Sequence, residues 1–206
     1  ESRAHGSGIR VIRVKAAELD TLSGQQKHQG VIAGFRGGNI ISEAQLTTVL
    51  DAIGGTPLVL VLDGVQDPHN LGACLRTADA AGVHLVVICK DRSTGVTPVV
   101  RRAASGAAET LSILEATNLA RVLQALKKHG IWLAGTSDSA TDDLYSTDLT
   151  GPMALVMGSE GTGMRRLTSE LCDYLVSIPM AGQVESLNVS VATGVCLYEI
   201  NRQRMR

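Results

Sequence analysis

LVLVLDGVQDPHNLGACLRTADAAGVHLVVIC, residues 58–89, sets two aliphatic runs, LVLVL (58–62) and HLVVIC (84–89), on either side of a predicted helix from about Asn70 to Ala81. A strand without polar alternation is one buried on both faces, which is the condition of a parallel strand in a sheet covered by helices. Toward the C-terminus the alternation continues. A short helix is expected around 97–105, then LSIL (111–114), a helix over 118–129 closed by Gly130, and IWLAGT (131–136). MALVMG (153–158), a helix near 164–174, LVSIP (175–179) and a last helix from about Asn188 complete the series. The fold class is α/β, an open, mostly parallel sheet with helices on both faces. Folds of this kind bind ligands outside the carboxyl ends of their strands.

Toward the N-terminus, Ser42 is the expected N-cap of a helix whose Leu46, Val49, Leu50 and Ile53 share one face. Residues 37–56 are therefore expected to be a linker with a leading helix, and residues 57–206 the main domain. Before them, IRVIRV and GVIAGF within residues 9–35 read as two short strands, too few to close a core. Residues 1–36 are expected to be part of another domain, and the absence of an initiating Met fits a trimmed chain.

The 206 residues include 44% hydrophobic side chains, enough for a sizeable core, but only 1 Trp, 3 Tyr and 1 Phe. Nineteen basic residues against twenty acidic ones give a net charge of -1, so no global basic field draws the chain to nucleic acid. Basic residues do cluster at Lys90/Arg92, Arg101/Arg102, Arg165/Arg166 and Arg202/Arg204/Arg206, where solvation of a surface is the ordinary explanation. Cys74, Cys89, Cys172 and Cys196 lie far apart inside apolar runs, without a C-x-x-C, and the histidines have no ligand spacing against them. Reduced buried thiols in a cytoplasmic protein, and no metal, are the expectation. No apolar run approaches the roughly 18 residues of a membrane span, and no signal-peptide pattern opens the chain.

Three strand-to-loop junctions gather Gly, Pro and polar residues where such a sheet places its ligand. In DGVQDPHNLGACLR (63–76), Asn70 can cap the helix that carries Arg76. Six residues turn a helix by about 600°, roughly 120° off alignment, so a shared site requires Asn70 in the cap; taken alone, the segment is better explained by an Asn cap and a surface Arg. In VMGSEGTGMR (156–165), glycines follow a buried strand and let a ligand approach the backbone. The spacing is neither G-x-G-x-x-G nor a P-loop, which leaves an adenosine-type or anionic ligand, while Glu160 is also a common residue before a helix N-terminus. In IPMAGQVESLNVSVA (178–192), Ser186, Asn188 and Ser190 offer more polar groups than capping a helix needs.

In order and spacing, N-L-G-A-C-L-R, V-M-G-S-E-G-x-G and I-P-M-x(5)-S-L-N-V-S-V-A closely resemble the three signature motifs of the SpoU branch of the SPOUT methyltransferases. The resemblance covers about residues 57–206, and D-P-H-N-L-G with A-T-G-V-C-L-Y-E is most similar to the members that methylate guanosine riboses in bacterial 23S rRNA. Residues 9–35 resemble the tail of the ribosomal-protein-like RNA-binding domain that precedes the catalytic domain there. The resemblance implies a C-terminal deep trefoil knot, which connectivity rules alone would have excluded, and a homodimer with the methyl-donor site in the knot beside the subunit interface. It implies that Gly158, Ile178 and Leu187 contact S-adenosylmethionine largely through backbone groups, with Thr136 and Met180 nearby. Arg76 would be the central catalytic residue, with Asn70, Glu160 and Asn188 around the acceptor ribose. Because a guanidinium hardly ever gives up its proton, Arg76 is expected to clamp a phosphate and stabilise the developing alkoxide, with Glu160 assisting proton loss. The alternatives are a tRNA substrate, a non-catalytic ribosome-assembly factor of the same fold, and an unrelated adenosine-nucleotide-binding enzyme.

Overall fold

The computed structural model describes residues 2–25, 27–34 and 39–205, in two compact units, Glu1–Arg36 and Gly37–Arg206. In the first unit the described regular elements are α1 (Ser2–Gly6) and α2 (Ala16–Leu22). The two strands expected here are absent: residues 9–14 and 31–34 carry no regular structure, and Phe35 lies outside the described residues. Ile9, Ile12 and Val31 are 59%, 64% and 74% exposed, so these β-branched runs have no sheet to bury them and nothing to offset the entropy of an extended chain.

The second unit is built on eight strands: β1 (Asn39–Ile41), β2 (Leu58–Asp63), β3 (Leu85–Cys89), β4 (Ser112–Ala116), β5 (Trp132–Thr136), β6 (Asp142–Asp143), β7 (Met153–Gly158) and β8 (Tyr174–Ser177). Their order is β1-β4-β3-β2-β7-β5-β8-β6, and every pairing is parallel. The helices are α3 (Leu46–Asp51), α4 (Pro68–Ala80), α5 (Pro98–Ala103), α6 (Ala107–Thr110), α7 (Leu119–Lys128), α8 (Arg166–Leu171) and α9 (Val189–Arg204).

β2 lies between β3 and β7, Val59 facing Leu85 on one side and Ala154 on the other, and all six of its residues are buried. Period-2 geometry sends Leu58, Leu60 and Leu62 to one face, where they join Leu71 and Leu75 of α4 and Leu197 and Ile200 of α9. Val59 and Val61 meet Leu46 and Leu50 of α3 and Leu123 and Leu126 of α7 on the other. Each such side chain contributes roughly 1.5–3 kcal/mol on burial, so both helical layers hold the central strands in register.

In this second unit the predicted strands and helices are present, with changes at loops and edges. Asp67, not Asn70, caps α4: its carboxylate accepts from the His69 N–H at 2.9 Å, and Pro68 occupies the first helical position, where its missing N–H costs nothing. Asn70 is thereby inside the first turn. The helix expected over 97–105 ends at Ala103, and α6 follows after Ser105 and Gly106, whose φ values of 52° and 100° break the helical path. Ser42 closes a capping box with Gln45, its N–H donating to Gln45 Oε1 at 3.0 Å, over a single 3-10 turn (Glu43–Gln45) that precedes α3. Among the described residues no helix is long and apolar enough to cross a membrane.

Candidate active site

The carboxyl ends of β5, β7 and β8 open into a cleft of about 420 Å³, within the range of small-molecule sites. Thr136 closes β5 and Gly158 closes β7; Ile178 and Met180 follow β8, and Leu187 precedes α9. All five line the cleft, with Glu160 at its side. Val176 and Ala192 add apolar wall, while Ser137, Asp138 and Ser139 add polar groups that the sequence reading did not single out.

The glycine-rich loop has a definite shape. Ser159 and Gly163 exchange two backbone hydrogen bonds of 3.0 Å, closing a hairpin over Glu160, Gly161 and Thr162. Gly161 and Gly163 have φ of +78° and +66°, which side-chain-bearing residues rarely adopt. A Cβ built on Gly158 would collide with the backbone of Gly163 and Met164, so the hairpin can fold back on β7 only over a glycine. The turn thus holds Glu160 outward at the cleft.

Asn70, Glu160 and Asn188 meet there from three separate segments. The Asn70 side-chain amide donates to Glu160 Oε1; the Asn188 amide donates to the same oxygen at 3.1 Å and to Asn70 Oδ1 at 3.0 Å. Asn188 also caps α9, accepting from the Ser190 N–H at 2.9 Å and its hydroxyl at 2.6 Å. Both amides are oriented, and Glu160 Oε2 is left without a partner among the described residues. Arg76 is not gathered into this group. It is exposed on α4, does not line the cleft, and makes no hydrogen bond or ion pair to a described residue.

A second arrangement went unread in the sequence. Asp63, buried at the end of β2, accepts from the Arg165 N–H at 2.9 Å and pairs with Arg165 Nε at 2.9 Å, while Arg165 Nη2 donates to Cys89 Sγ at 3.1 Å. An acidic residue ending a wholly aliphatic strand was the available signal. Burial pushes the Cys74 thiol up to about 11 despite its contact with Thr193, with Glu160 adding to the rise. Burial likewise raises Cys172 and Cys196 to about 12, and lifts Cys89 against the opposing charge of Arg165. Such thiols are neutral and unreactive. Among the described residues no group of three or more His, Cys, Asp or Glu is placed to hold a metal.

Residues 57–198 match the SpoU rRNA Methylase family, and residues 2–39 match the RNA 2'-O ribose methyltransferase substrate binding family. The chain is 57% identical over 201 residues to the 23S rRNA (guanosine-2'-O-)-methyltransferase RlmB of Ralstonia nicotianae, covering 98% of this chain and 80% of that protein. It is 59% identical over 177 residues to the protein of the same name from Pseudomonas syringae pv. tomato, covering 86% and 71%. The solved structure of the SpoU methyltransferase AviRb from Streptomyces viridochromogenes in complex with AdoMet is similar at TM-score 0.70 and 31% identity, over 75% of this chain and 63% of that one. A family match across most of the chain, and relatives this similar along nearly all of it, mean that the chain belongs to the SpoU rRNA methylase family.

Proposed function

We propose that this chain transfers a methyl group from S-adenosylmethionine to the ribose 2'-oxygen of a guanosine in bacterial 23S rRNA. The observation that carries the proposal is the meeting of Asn70, Glu160 and Asn188 beside the cleft at the ends of β5, β7 and β8. The relatives' names support the substrate.

The cleft suits the donor. Val176, Ile178 and Leu187 give apolar walls for an adenine, and Thr136, Ser137 and Ser139 give hydroxyls for the polar remainder. When bound, S-adenosylmethionine supplies a methyl group made electrophilic by its sulfonium. The chain's residues then have to hold the ribose in line and take up its proton. Asn70 and Asn188 fix Glu160 by its Oε1, which leaves Oε2 to accept from the 2'-hydroxyl. Arg76, exposed and without a partner among the described residues, acts as a bidentate clamp on the neighbouring phosphate and offsets the charge that develops on the attacking oxygen.

Other features fit this assignment. The family match over residues 2–39 supports Glu1–Arg36 as belonging to an RNA-substrate-binding domain. β8 lies beyond β5 in the sheet, yet α9 returns to pack on α4 and β7, a course that supports the deep trefoil knot of this fold. α9 leaves Val191 and Tyr198 exposed, which supports a homodimer with a second copy covering them. Four cysteines that are all free thiols support a cytoplasmic setting.

The test is transfer of labelled methyl to unmodified 23S rRNA by the wild-type protein, Arg76→Ala and Arg76→Lys, with the product nucleotide mapped by mass spectrometry. A single 2'-O-methylguanosine, reduced at least 100-fold in Arg76→Ala and at least tenfold in Arg76→Lys, is expected. Full activity of Arg76→Lys would overturn the bidentate clamp, and transfer to tRNA alone would overturn the substrate.

A further inference from the structure

The hairpin of residues 159–163 has a second side. There lies another cleft, of about 210 Å³, lined by Asp63, Gly64, Gln66, Arg92 and Arg165 together with Ser159, Thr162 and Gly163 of the hairpin. Two of the basic clusters that read in the sequence as solvated surface, at 90–92 and 165–166, each send one arginine to it.

The pairing inside this cleft is asymmetric. The Asp63 side chain has no exposed surface and both its oxygens are taken by Arg165, so it cannot meet a ligand itself. Arg165, by contrast, keeps 45% of its side chain exposed. Asp63 therefore acts from below, holding a guanidinium plane at a fixed angle. Arg92 arrives from the loop after β3 with φ of +56°, a conformation unfavourable for arginine, and its carbonyl lies 3.6 Å from where a Gly64 Cβ would stand. Gln66 adds an amide. One buried carboxylate against two arginines leaves a net positive, hydrogen-bond-donating hollow, which suits a phosphodiester.

We propose that this cleft seats a backbone phosphate of the substrate RNA beside the nucleotide being methylated, with Arg165 and Arg92 as its two cations. The hairpin would then separate donor from strand, with Glu160 at the methyl-donor side and Ser159, Thr162 and Gly163 shared by both clefts. The proposal rests on the assignment of methyl transfer to RNA. It also resolves how a chain of net charge -1 grips a polyanion, by local charge at the reacting nucleotide.

The experiment compares wild type, Arg92→Gln and Arg165→Gln in steady-state methylation of unmodified 23S rRNA, in S-adenosylmethionine binding by calorimetry, and in the salt dependence of RNA affinity. The expected result is a KM for RNA raised at least fivefold in each variant with kcat lowered less than threefold. S-adenosylmethionine affinity should stay within twofold, and the slope of log affinity against log salt should fall by roughly 0.7 for each lost phosphate contact. Arg165→Gln removes the guanidinium that pairs with buried Asp63 and leaves it only the backbone N–H, so if that variant unfolds the exposed Arg92→Gln decides alone. Unchanged KM and salt slope in Arg92→Gln would overturn the proposal, as would loss of donor affinity with RNA affinity intact, which would mark the cleft as part of the donor site. Absence of methyl transfer by the wild type would instead overturn the proposed function.

Discussion

Glu160 is the residue on which the chemistry turns. Two side-chain amides hold one of its oxygens and leave the other open, as a group taking a proton from a bound hydroxyl requires. Glutamine at this position keeps an oxygen for the amides and loses the proton acceptor. Glu160→Gln should therefore fold and bind S-adenosylmethionine within threefold of wild type, while single-turnover methylation slows on the order of 100-fold. A single-turnover rate within threefold of wild type would assign proton removal elsewhere. The sequence showed the three polar residues of this cluster and their motifs, because Gly, Asn and Ser stand out in aliphatic surroundings. It did not show their partners: a bond between Asn70 and Glu160 spans 90 positions and exists only once the strands are in register. Asp63 and Arg165 escaped for the same reason, being joined across 102 positions.

At the scale of elements, α4 separates two roles that a reading of its motif assigns to Asn70 alone. The cap is Asp67, whose carboxylate satisfies an N–H of the first turn, and Asn70 turns instead toward Glu160. Asp67→Ala should lower unfolding free energy by about 1 kcal/mol in urea titration and leave kcat within twofold. Asn70→Ala should do the reverse, sparing stability and lowering kcat at least tenfold; equal effects of the two on stability would mean that both residues cap. The core elements were legible because β2, β3 and β7 are uninterrupted aliphatic runs, and the knowledge that both faces are covered follows from that alone. The edges were not. β6 is two aspartates whose extended form depends on pairing with β8, and β1 is three residues resting on β4. In the first unit the error ran the other way: β-branched runs suggested strands, but a strand forms only where a neighbour supplies hydrogen bonds.

The core of the larger unit, Gly37–Arg206, is two apolar layers with free thiols set into both. Cys74 and Cys196 are wholly buried, and burial raises their pKa from the ordinary 9.0 to about 11 and about 12. The unfolded chain releases these protons near pH 9, whereas the folded protein retains them to pH 11–12. Over that interval the unfolded state binds fewer protons, so stability fully present below pH 9 is lost as the pH rises, by at most about 1.4 kcal/mol per pH unit for each thiol. Between pH 8 and pH 10 Cys196 alone should account for a loss of stability on the order of 1 kcal/mol. Cys196→Ala will lower stability at pH 8 by opening a cavity, but that cost is independent of pH. The gap between wild type and variant, measured by urea unfolding at both pH values, should therefore narrow by about that amount at pH 10, since lysines and tyrosines titrate alike in both proteins. A gap equal at the two pH values would mean that the Cys196 thiol titrates in the folded core much as it does in the unfolded chain, and that burial between α9 and the core does not exclude the thiolate.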